Sequence, residues 1–170
     1  NGTERIISVI NEFSNYEIIV NIQGDEPLVM YKDIDKLIKA SCITKDAIIT
    51  LAQPIRGNKN LADPNIVKVA CDNNGYSLHF SRVLMSYLKI YKKVLQHVGI
   101  YTYQQNMLNI IKTLPEGKLE NLENLEQMRF MEYGYKIKVI QTHNMYIGVD
   151  KIKDVKLVED YLNNICCKNL

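Results

Sequence analysis

Two aspartates with unlike neighbours raise the first chemical question. Asp25 lies in Gln23-Gly24-Asp25-Glu26-Pro27, where the apolar run Glu17 to Ile22 stops abruptly. Asp150 closes the short segment Ile147-Gly148-Val149. Each follows an extended apolar stretch, and in open α/β sheets ligands gather at the carboxyl ends of strands. Two aspartates brought to one such edge make an oxygen-rich site of the kind magnesium takes, shared with substrate phosphates. The same residues also serve plain structure. Asp, Gly and Pro favour turns, and an aspartate directly ahead of a helix can cap it.

Other polar residues fall where burial is expected. Tyr76, Leu78 and Phe80 share one face of an extended run, and a continued strand puts Arg82 on that apolar face. There it needs an anionic partner or a strand end. A period of two over His97 to Tyr103 puts His97, Gly99, Tyr101 and Tyr103 on one face, with Val98 and Ile100 on the other. Glu126 and Gln127 fall in a helical stretch, where Glu126 can pair with Arg129. The four cysteines, Cys42, Cys71, Cys166 and Cys167, lack the Cys-x-x-Cys spacing of zinc sites and read as buried thiols in a reducing cytoplasm.

The elements that must position these groups alternate along 170 residues, 46% of them hydrophobic and 24% charged. The spacing predicts a helix over 3–13 with Thr3 as cap, a strand over 17–22, a helix over 33–42 and a strand over 47–52. Asp72-Asn73-Asn74-Gly75 signals a hairpin. A strand over 97–103 and a helix over 105–112 follow, then one helix from Leu119 to Gly134 with Leu119, Leu122, Leu125, Met128 and Met131 inward. A strand over 136–141 precedes a last helix, 151–166, with Ile152, Val155, Tyr161, Leu162 and Ile165 inward. This pattern predicts a single α/β domain over 1–170, a mostly parallel sheet with helices on both faces and an inserted hairpin. A net charge of +2 with scattered Lys and Arg argues against nucleic acid, and the sequence has no apolar run long enough to span a membrane.

Five segments in order carry a resemblance: Asn1 to Arg5 (NGTER), Val20 to Leu28 (VNIQGDEPL), Asp63 to Arg82 (DPNIVKV through GYSLHFSR), His97 to Tyr103 (HVGIYTY), and Leu122 to Gly134 with Ile147 to Asp150. The chain resembles the 3-deoxy-manno-octulosonate cytidylyltransferase family, the CMP-Kdo synthetases of lipopolysaccharide synthesis. The resemblance implies a Rossmann-like nucleotidyltransferase sheet and a reaction in which the anomeric hydroxyl of Kdo attacks the α-phosphorus of CTP, releasing pyrophosphate. It also implies Mg2+, a cytoplasmic homodimer, and roles for particular residues. Asp25 and Asp150 match the catalytic, magnesium-binding aspartates. Gln23, Arg82, His97, Tyr101, Glu126 and Gln127 match positions that grip the acidic sugar. Gly2 and Arg5 fall in a segment resembling part of the nucleotide pocket.

The chain also departs from that pattern. The family's opening strand and its basic phosphate loop, of the type Pro-Ala-Arg-x-x-Ser-x-Arg-Leu-x-x-Lys, are missing, which predicts that a segment precedes Asn1 and that the 170 residues alone do not turn over CTP. The Ile-Pro pair usual after Arg82 is replaced by Val83-Leu84, and the Thr-Pro usual after Asp150 by Lys151-Ile152. Two alternatives stay open: another acidic sugar, such as a sialic acid, as acceptor, or a non-catalytic remnant serving as a binding or oligomerising module.

Overall fold

The computed structural model describes residues 2–45, 47–83 and 94–166. Helix α1 (Gly2–Val9) runs on through a 3-10 turn (Ile10–Phe13) to β1 (Ile18–Ile22). Then come α2 (Tyr31–Ile43), β2 (Ala47–Pro54), α3 (Gly57–Ala62), and the hairpin of β3 (Lys68–Cys71) and β4 (Ser77–Ser81). The long β5 (Val94–Gln104), α4 (Gln105–Ile111), α5 (Lys118–Glu123), α6 (Gln127–Glu132), β6 (Lys136–Gln141) and α7 (Ile152–Cys166) complete the order.

The strands form one sheet in the order β4-β3-β5-β2-β6, with β1 also on β5. The α/β class is as expected, with helices on both faces, but the pairing is not mostly parallel. Only β2 and β6 pair in parallel among the described strands. The reason is β5, which runs against β1, β2 and β3 at once. Its first half pairs with β3 and its second half with β1, so those two strands lie end to end along one side of it.

Two apolar layers follow from the period of two. One face packs Ile48, Ala52, Phe80, Tyr101 and Tyr103 against Ile10, α4 and α6. The other packs Ile49, Leu51, Val98 and Ile100 against Leu37 of α2 and against Tyr146. The hairpin turns as its sequence predicts: Gly75 takes φ +77°, and Asp72 Oδ1 accepts the N–H groups of Asn74 and Tyr76.

Several further expectations are corrected. The stretch from Leu119 to Gly134 is two helices, because Asn124 adopts a left-handed φ of 56° between them. Leu119 and Leu122 are therefore exposed, while Leu125 and Met128 remain in the core. In α7, Ile152, Val155 and Leu162 are exposed, and among its described side chains Val158 is the buried one. Leu157 and Tyr161 of α7 instead line a cleft. Finally, Cys42 is exposed, whereas Cys71 is buried and its thiol is pushed up to about 11, chiefly by that burial. Leu78 is exposed too, and β4 stops at Ser81, so Arg82 sits past the strand end. The Ile165, Cys166 and Cys167 side chains and the segment 84–93 lie outside what the structure describes.

Arg129 does not pair with Glu126. Its Nε and Nη2 donate to Glu120 Oε2 and Oε1 at 2.5 and 2.7 Å, a bidentate bridge joining α6 to α5 with both side chains 11% exposed. Removing one partner leaves an uncompensated buried charge. Arg129→Met is expected to lose about 3–5 kcal/mol of stability in urea denaturation, and a second change, Glu120→Leu, to restore much of it.

Candidate functional site

The stretch Gln23 to Glu26 is a turn, closed by the Glu26 N–H to Gln23 carbonyl bond at 3.1 Å. That turn is also the rim of a cleft. It is held at a distortion in β5: Thr50 pairs with Tyr101 and Leu51 with Val98, so β5 carries two extra residues, Gly99 and Ile100, opposite one step of β2. The Gly99 carbonyl accepts from Gln23 N–H at 3.2 Å, and the Gly99 N–H donates to Glu26 Oε1 at 2.8 Å. A Cβ at position 99 would fall 2.9 Å from Gln23 Oε1, so any larger residue would displace the Gln23 side chain from the place that glycine leaves for it.

Asp150 arrives from the other end of the chain. The Val149 N–H donates to the Asp25 carbonyl at 2.8 Å, which pins the loop after β6 to the turn after β1. The α7 start is served by Asp154, whose Oδ2 accepts the Lys151 N–H at 2.9 Å, so capping falls there rather than to Asp150. The clearest electrostatic sign of convergence is Glu26. Its carboxyl is raised to about 7, first by burial and then by the charges of Asp25 and Asp150, against the bond from Gly99. Its Oε2 is buried and has no hydrogen-bond partner among the described residues.

The cleft has a volume of about 680 Å3, within the range of small-molecule sites. Gln23, Asp25, Arg82, His97, Tyr101, Glu126, Gln127 and Asp150 all line it. Gly2 and Arg5 do not. Gly2 lies behind the floor, where an added Cβ would touch Glu126, Gln23 and Asn21 at 3.7–3.9 Å, and Arg5 is exposed. The neighbouring Thr3 N–H donates to Glu126 Oε1 at 3.0 Å. Burial raises the Glu126 carboxyl, with the Thr3 bonds acting against it. His97, Tyr101 and Tyr103 form a ring ladder on one strand face, with centroids 5.2 and 6.0 Å apart, as their spacing predicted. Arg82 Nη1 donates to the Pro64 carbonyl at 3.3 Å. Its own carbonyl accepts from the buried ammonium of Lys68 at 2.8 Å, which also donates to the Asp63 carbonyl.

Sequence reading missed the residues that hold the rims. Asp33, read as a helix residue, is fully buried, and its Oδ2 accepts from Thr142, Asn144 and Tyr146 at 2.7–3.0 Å. Gln53 grips the Tyr146 backbone by both its N–H and its carbonyl, at 3.0 and 2.8 Å. Together they fix the loop that leads to Asp150. A glutamine inside the buried run Ala47 to Gln53 was the available signal; nothing comparable marked Asp33. Arg56, Lys151 and Lys153 also line the cleft and add cationic charge to it.

The family profile described as cytidylyltransferase matches residues 1–137. The 3-deoxy-manno-octulosonate cytidylyltransferase of Fusobacterium nucleatum is 39% identical over 170 residues, covering 97% of this chain and 69% of that one. That of Porphyromonas gingivalis is 35% identical over 175 residues, covering 96% and 69%. Among solved structures, a CMP:2-keto-3-deoxy-manno-octonic acid synthetase complexed with CTP superposes with a TM-score of 0.85 at 30% identity, covering 96% of this chain and 68% of that one.

The Asp33 hub has a pH signature. Burial favours its neutral form, but the bonds from Lys36, Asn144, Thr142 and Tyr146 outweigh burial and hold the carboxyl below its usual range. Its contribution is thus present above the unfolded value of about 3.9 and is lost as pH falls through the lower folded value. Denaturation from pH 6 down to pH 2.5 is expected to show this acid limb flattened in Asp33→Asn. At pH 7 that variant is expected to be about 2 kcal/mol less stable.

Proposed function

The chain belongs to the cytidylyltransferase family, and from that premise we propose that it carries the sugar and cation sites of an enzyme transferring CMP from CTP to 3-deoxy-D-manno-octulosonate, with release of pyrophosphate. The observation that carries this reading is the meeting of Asp25 and Asp150, 125 positions apart in sequence, in one cleft with Arg82, His97 and Tyr101. Lipopolysaccharide synthesis, a cytoplasmic setting and a homodimer belong to the same proposal.

The donor set fits magnesium. Asp25, Asp150 and the unpartnered Glu26 Oε2 are all hard oxygen ligands. Among the described residues no group of three His, Cys, Asp or Glu side chains could hold a metal alone, so an ion at Asp25 and Asp150 would need substrate phosphates to complete its coordination. Bound by Asp25 and Asp150, magnesium would neutralise triphosphate charge and make the sugar hydroxyl a better nucleophile. The remaining work falls to the chain's own groups. Arg82 offers a planar guanidinium for the sugar carboxylate. His97, Tyr101 and Gln127 present hydrogen-bonding groups to its hydroxyls. Gln23, fixed at Gly99, and Glu126, fixed at Thr3, form the floor that orients the ring.

Pyrophosphate release is the measurement, with the chain joined to the phosphate-loop segment of a relative. Turnover is expected with CTP and Kdo but not with CTP and sialic acid. Asp25→Asn and Asp150→Asn are each expected to lower kcat by more than about 100-fold. Turnover with sialic acid alone, or full activity in either variant, would overturn the reading.

A further inference from the structure

Thr50 is fully buried in β2, and its single hydroxyl faces two partners. Oγ1 lies 2.9 Å from the Ile100 carbonyl and 2.9 Å from His97 Nε2. A carbonyl oxygen only accepts, and a hydroxyl has one hydrogen to give. That hydrogen goes to Ile100, whose carbonyl the β5 bulge carries to Thr50. Oγ1 is then an acceptor toward the ring, so Nε2 must bear the proton. Burial holds His97 neutral, with its pKa near 3, and a neutral imidazole has one N–H only. Nδ1 is left with a lone pair. It has no partner among the described residues, and the ring borders the cleft, held edge-on by Phe80 at 5.3 Å and beside Tyr101 at 5.2 Å.

We infer that Thr50 is a positioning residue that locks His97 in the Nε2–H tautomer, making the cleft-facing Nδ1 an obligatory acceptor that selects hydroxyl donors and refuses carboxylate or phosphate oxygens. On the proposed reading of the cleft, this divides the acidic sugar between two residues. Its carboxylate goes to Arg82, and a hydroxyl goes to His97. A ligand turned the other way would set an anionic oxygen against a lone pair at His97. Thr50 thereby acts on specificity without touching substrate.

Imidazole 15N resonances tell the tautomers apart and need no ligand. At pH 7 the wild-type chain is expected to show His97 protonated at Nε2 alone. Thr50→Val, which keeps the shape but removes the hydroxyl, is expected to give a tautomer mixture, and Thr50→Ser to restore the single form. Titration calorimetry with Kdo is expected to show about tenfold weaker binding for Thr50→Val, a loss of 1.4 kcal/mol, with wild-type affinity in Thr50→Ser. A wild-type His97 protonated at Nδ1, or charged, overturns the assignment. So does a Thr50→Val chain that keeps the pure Nε2–H form. If the tautomer behaves as stated but Kdo does not bind, the sugar assignment fails and the Thr50 lock stands.

Discussion

The site depends on two surplus residues in one strand. Gly99 and Ile100 swell β5 against β2. Gly99, without a side chain, admits Gln23 and Glu26 against its backbone. Ile100 delivers the carbonyl that takes the Thr50 proton. A regular antiparallel strand would leave both groups spent on ladder bonds. A bulge beside a site is a usual means of re-aiming side chains, and here it aims those of two neighbouring strands.

The second constraint is the anchoring of the loop after β6. A rim made of loop would wander unless its polar groups were answered from the core. Asp33 and Gln53 answer them from α2 and β2, on elements fixed by the apolar layers of the sheet. Lys68 does the same for the opposite rim, holding the carbonyls of Asp63 and Arg82. The cleft-lining residues are thus supported by buried polar groups, of which Asp33 and Lys68 stand behind the lining, the arrangement expected where small displacements weaken function.

Much of this was legible in the sequence. Periodicity located the strands and assigned the faces of β5 correctly, because its two faces differ in character, with imidazole and phenol rings on one and aliphatic Val98 and Ile100 on the other. The motif around Asp25 read as a turn or as a cation site; it is a turn, and that turn borders the cleft. What escaped was non-local. Strand direction depends on partners, and β5 pairs with three strands distant in sequence. The break at Asn124 is one residue's φ, invisible in a leucine repeat that continues across it. Asp33 looked like any acid in a first helical turn, since its partners lie more than 100 residues away. The exposed stripe of α7 shows the converse, apolar spacing at Ile152, Val155 and Leu162 that is not buried by the described residues.

The surplus in β5 is an even number, and that parity has an evolutionary edge. Side chains alternate across the sheet, so inserting or deleting a pair of residues between His97 and Tyr101 leaves both looking into the same cavity. Losing or gaining one would turn either the imidazole or the phenol through the sheet into the opposite apolar layer. A change of length here is therefore quantised for the two rings: adding residues in pairs keeps both in the cleft, whereas removing Gly99 and Ile100 would keep their faces but lose the contacts to Gln23, Glu26 and Thr50.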